Sequence, residues 1–172
     1  INKKTHIVVS KLPRNEDYLT NYDGYVVTTE HFDLANPVTK VDDIPDYEMY
    51  SQTIDSLNKR FGNRVLKGIE IGYIASEKDR IIDYLADKDY DLKLLSVHHN
   101  GQFDYLDDEV KDMDPAIVIP QYFAQLSEAL VVIEADVFAH FDYGFRVFGL
   151  SVAEFKQYEA QFFTDSRSSN QK

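Results

Sequence analysis

A chain of 172 residues with 44% hydrophobic content can bury a sizeable core and is read as one domain. Its 30 acidic against 18 basic side chains give a net charge of −12, which repels a nucleic-acid backbone or an anionic membrane surface. There is no cysteine for a disulfide framework, no run of about 18 apolar residues to span a bilayer, and no signal-peptide core in "INKKTHIVVS". The expected compartment is the cytoplasm, with neither nucleic acid nor membrane as partner.

In chain order, short apolar, β-branched runs alternate with segments of helical period. "HIVVS" (6–10) is followed by "YVVTTEH" (25–31). "DYEMYSQTIDSLNKRFGN" then places Tyr47, Tyr50, Ile54, Leu57 and Phe61 on one stripe, with Gly62 and Asn63 as the stop signal. After the third run, "VLKGIEIGYI" (65–74), "SEKDRIIDYLADKD" opens on Ser76 and Asp79 as a capping pair and turns Ile81, Ile82 and Leu85 inward. The fourth run is "DLKLLSVHH" (91–99). "PQYFAQLSEALVV" starts a helix at Pro120, "ADVFAHFD" (135–142) is the fifth run, and "SVAEFKQYEAQFF" begins with the box Ser151 and Glu154. Strand alternating with helix predicts an α/β fold with about five parallel strands and flanking helices. Residues 1–163 form the expected domain, and "TDSRSSNQK" (164–172) lacks core-forming residues and reads as a polar disordered tail.

All five histidines, His6, His31, His98, His99 and His140, fall in these strand segments or at their C-terminal ends, as does Glu70. In parallel α/β folds those ends converge on one face, where active sites are built. Imidazoles and a carboxylate gathered there, without thiolate, suit a divalent Zn, Mn or Fe ion. Adjacent strand residues face opposite ways, so only one of His98 and His99 can enter such a site; His99 reads as a core histidine.

"TTEH", "GIEIGY", "LLSVHHNG" and "ADVFAHFDYGFR", in this order and spacing, resemble the PHP (polymerase and histidinol phosphatase) superfamily, in its histidinol-phosphate phosphatase branch. The resemblance implies a distorted (β/α)7 TIM-like barrel that holds up to three metal ions and hydrolyses a phosphate monoester, L-histidinol phosphate of histidine biosynthesis, with metal-activated water. Carried over by motif, Glu70, His98 and His140 resemble the ligands of one metal. His6 resembles the second histidine of the opening His-x-His, His31 a ligand of a third metal, and Arg146 an anchor for the substrate phosphate.

The chain departs from that pattern at both ends. Lys4 stands where the first histidine of His-x-His belongs, on the same strand face as His6, where its charge could partly replace a missing cation. Glu16 or Asp17 could substitute for a ligand lost after Ser10, and no late Asp-x-His motif follows. The expectation is therefore an incomplete, C-terminally truncated barrel with one metal well held by Glu70, His98 and His140, a second weak or absent, and the third, that of His31, absent. The alternative is a catalytically weak or inactive relative that binds metal or phosphate. An open barrel exposes two sheet edges, near His6 and Ala135, and implies a homo-oligomer that covers them.

Overall fold

The computed structural model describes residues 6–10, 19–21 and 23–158. Five strands, β1 (His6–Ser10), β2 (Tyr25–Asp33), β3 (Val65–Gly72), β4 (Leu92–Ser96) and β5 (Val137–Phe138), form one sheet in the order β1-β2-β3-β4-β5. Every neighbouring pair is parallel. Parallel neighbours require crossovers, and from β2 onward these carry the helices α1 (Tyr47–Phe61), α2 (Lys78–Leu85) and α3 (Pro115–Val132). The α/β architecture with a parallel sheet and flanking helices is as expected. Lys4, Glu16, Asp17 and the tail from 164 lie outside the described residues, and for His6 only the strand is described.

The register of the inner strands follows from burial. Along β2 the run Val26 to Thr29 is buried, and β3 from Gly68 to Gly72 is buried throughout, as befits strands covered on both faces. Helix α1 is set on them by its expected stripe: Asp46 caps it by accepting from the Met49 N–H at 3.0 Å, and Gly62, at φ 77°, ends it. Tyr50 from that stripe reaches the β2–β3 seam. Its hydroxyl lies 2.6 Å from Thr28 Oγ1 and 2.8 Å from the Thr28 carbonyl, and it accepts from the Gly68 N–H at 3.2 Å. Burial pushes this phenol up to about 12.

Three local expectations need correction. Helix α3 begins at Pro115, capped by Asp114 accepting from the Ala116 N–H at 2.8 Å, so Pro120 lies inside it. A proline at the first helical position costs no hydrogen bond, which is why Pro115 rather than Pro120 marks the start. Ser76 does not cap α2; a 3-10 turn, Ala75–Glu77, leads into it, and Ile82 is exposed where Ile81 is buried. Finally, α3 is long and apolar enough to cross a membrane by length and composition, where the sequence reading expects no such run. Its Ile119, Tyr122, Phe123 and Leu126 are buried in the main core cluster, the arrangement of a core helix. The Ser151 box is present, with Glu154 accepting from the Ser151 N–H at 2.9 Å.

Candidate metal centre

Parallel register assembles the site. His31 pairs with Glu70 and Asp33 with Gly72 across β2–β3; Gly72 pairs with Ser96 across β3–β4. Side chains repeat every two residues, so His31, Asp33, Glu70 and Ser96 share a face at the C-terminal end of the sheet, with His98 just beyond Ser96. The loop carrying His98 is tied down from α3: Gln125 Nε2 donates to the carbonyls of Tyr73 and His99. His140 follows β5 and has φ 26°, a left-handed backbone that costs a histidine about 1–3 kcal/mol and is typical of functional sites.

Three imidazoles converge on one carboxylate. Glu70 Oε1 lies 2.8 Å from His140 Nε2 and 3.1 Å from His98 Nε2, and Glu70 Oε2 lies 3.7 Å from His31 Nε2. Asp33, a second carboxylate, sits on the far side of two of these rings, 2.6 Å from His98 Nδ1 and 3.4 Å from His31 Nδ1. Burial alone would raise both carboxyls. Hydrogen bonds from His31 and His98 instead hold Asp33 far below its usual range, and those from His140 and His98 do the same for Glu70. Burial likewise opposes charge on His98, but hydrogen bonds to Asp33 and Glu70 push it up to about 10.

His31, Glu70 and His98 each present one ligand atom within 4.8 Å of the others, and two imidazoles with a carboxylate are donors that suit a divalent ion. These residues fit a metal. The grouping differs from the expected one, because His31, assigned by motif to a separate and vacant position, stands in the cluster with Glu70 and His98. His140 touches Glu70 but leaves its own Nδ1 buried without a hydrogen-bond partner. The cluster forms the floor of an open cavity of about 380 Å³, whose walls carry Asn36, Asp104 and Tyr143. Tyr143 donates to Asp104 at 3.1 Å, and its ring centroid lies 4.9 Å from that of His98.

The chain shares its fold with a histidinol phosphate phosphatase. The crystal structure of that protein, from Lactococcus lactis subsp. lactis Il1403 and complexed with zinc, L-histidinol and phosphate, matches with a TM-score of 0.78 over 96% of this chain and 70% of its own. Sequence identity is 19%, and the likeness is one of fold. No family model and no curated protein sequence matches the chain. A parallel sheet with flanking helices is consistent with part of the TIM-like fold that the four motifs imply.

Among the described residues, His99 and Arg146 lie apart from the cluster. His99 is buried at 2% exposure, accepts from the Gly101 N–H at 3.2 Å, and is pushed down by burial, as a core histidine should be. Arg146 is paired twice with Asp142, both contacts at 3.0 Å, and lines a different cavity of about 290 Å³ beside Phe145 and Phe155. Asp33, Asn36, Asp104 and Tyr143 were not singled out from sequence. Only Asp33 had a signal: it stands two residues after His31 and therefore on the same face of β2.

Proposed function

We propose that this chain is a metal-dependent phosphomonoester hydrolase of the histidinol-phosphate phosphatase type, acting on L-histidinol phosphate in histidine biosynthesis. The convergence of His31, Glu70 and His98 at the floor of an open cavity carries this reading. Those three side chains would hold the ion, with His140 held against Glu70 at their edge. A zinc, manganese or iron ion supplies a Lewis acid that polarises the phosphoryl group and acidifies water. The side chains around it bind and orient. Among the described residues the cavity is lined by Asp33, Glu70 and Asp104 and by no lysine or arginine, and its raised imidazoles are already paired with those carboxylates, so a bound cation is what would offset a phosphate dianion there. Asp104 and Tyr143 form a polar wall suited to the alcohol half of the ester.

The consecutive parallel order of the described strands supports the reading of this sheet as an arc of a (β/α)7 barrel. Arg146 would serve the substrate phosphate only after leaving Asp142. A weak or inactive relative that binds metal or phosphate is the second reading, favoured by Lys4 in place of a histidine and by the engagement of Arg146. Phosphate release from L-histidinol phosphate, followed with purified full-length chain and added zinc or manganese, separates the two. The enzyme reading expects metal-dependent turnover that Glu70→Ala abolishes. Metal uptake without turnover supports the weak relative, and no metal uptake at all rejects both.

A further inference from the structure

We infer that Asp33 is the positioning residue of this centre: one carboxylate behind two imidazoles turns both His31 and His98 so that their Nε2 atoms face Glu70, and Gly72 is the gap that admits it. The inference rests on the metal reading above. Both rings present Nδ1 to Asp33, at 3.4 and 2.6 Å, and both present Nε2 to Glu70, at 3.7 and 3.1 Å. An imidazole that donates from Nδ1 to a carboxylate keeps its lone pair on Nε2, the tautomer that can ligate. Asp33 lies on the Nδ1 side of both rings, so its place is behind the ligands, and one side chain fixes two.

Gly72 supplies the space. It pairs with Asp33 on one side and Ser96 on the other, and a Cβ there would lie 1.8 Å from Asp33 Oδ1 and 3.1 Å from His98 Nδ1. Its φ is not in the left-handed region. Glycine is needed at this position for room, and any side chain would push Asp33 off His98. Two positions on different strands, one of them without any polar side-chain atom, therefore share one task.

The test uses the full chain as parent, Asp33→Asn, Asp33→Ala, Gly72→Ala and the double variant Asp33→Ala with Gly72→Ala. Zinc affinity is read by competition with a chromophoric chelator, and histidine ring nitrogens by nitrogen-15 NMR. Asp33→Ala and Gly72→Ala should each weaken zinc about 10–100-fold, the usual loss for an outer-shell partner. The double variant should bind within about twofold of Asp33→Ala, because both changes remove one interaction. In the parent, His98 should ligate through Nε2 and carry a slowly exchanging Nδ1 proton that Asp33→Ala and Gly72→Ala both lose. Asp33→Asn, close to isosteric, guards against simple unfolding and should lose the slow exchange of that proton while keeping the native circular dichroism. Ligation through Nδ1, additive losses in the double variant, or unchanged affinity in Asp33→Ala would each overturn the proposal. Should the parent bind no zinc, the metal reading fails on its own; the Nδ1 proton in metal-free protein still decides the role of Asp33, and its absence there rejects it.

Discussion

His31 and His140 meet different oxygens of one carboxylate, Oε2 and Oε1 of Glu70, and the motif resemblance and the geometry rank them differently. By resemblance His140 joins Glu70 and His98; by position His31 does, with its ligand atom inside the 4.8 Å group. His31→Ala should therefore weaken zinc by more than the roughly 10–100-fold expected of an outer partner, and His140→Ala by less. Chelator competition on the two variants settles the ranking, and the reverse order would return the site to the His140 set. Protonation gives a second expectation at this scale. The value of about 10 for His98 means that the metal-free cluster holds a proton which zinc must displace. Stability from that raised group is complete below about 6.5 and is lost as pH rises through about 10. The depressed Asp33 and Glu70 act in the opposite sense, stabilising above about 4 and losing that contribution on acidification. Zinc should accordingly raise Tm more at about pH 8 than at about pH 6, because fewer protons compete. Calorimetry that finds an equal or larger rise at the lower pH would contradict this account of the cluster.

Between elements, Tyr50 is where sequence pattern and structure meet most directly. Its place on the apolar stripe of α1 was legible from spacing alone, and its hydroxyl contacts on Thr28 and Gly68 were not, since no periodicity tells a buried phenol which backbone groups it will meet. Tyr50→Phe would leave the ring in place and strip a buried hydroxyl from a seam of polar partners. The expected cost is about 1–3 kcal/mol in urea unfolding, the penalty for leaving buried groups unpaired. A loss under about 0.5 kcal/mol would mean that those groups find other partners. The same contrast explains the other misreadings. Pro120 looked like a helix start because prolines usually are, but Asp114 and Pro115 together make the stronger signal one turn earlier. Asp33 escaped notice for a related reason: after a histidine in a strand, an aspartate two residues on reads as a polar strand end. Only the pairing of β2 with β3 and the absence of a side chain at Gly72 show that it faces His98.

For the molecule as a whole, the parallel α/β alternation and the placing of histidines and Glu70 at strand ends were legible, because β-branched runs and their polar ends are local features; that His31 groups with Glu70 and His98 was not. How the outer strands are covered was not, since that depends on chain or partner surfaces beyond any local pattern. Among the described residues β1 and β5 are the outer strands, and β5 is two residues long with Val137 exposed. A strand at a sheet edge presents backbone groups that can recruit a partner. Light scattering should report twice the 19.9 kDa of one chain or more, and a monomer persisting at high concentration would count against self-association. The net charge of −12 adds a salt dependence: screening self-repulsion should favour the associated form as ionic strength rises.

Among the described side chains the centre is carried by β2, by β3 and by the loop leaving β4, with His140 after β5 at its rim. In such a sheet the outer strands open first and the inner ones last, with local opening free energies that climb toward the global value at the middle. Among the described strands His31, Asp33 and Glu70 thus stand on inner ones, while His140 follows the outer, two-residue β5. Fraying at that edge would release one imidazole from Glu70 and leave the other two in register, so breathing motions of the fold loosen the rim of the site before they reach its floor.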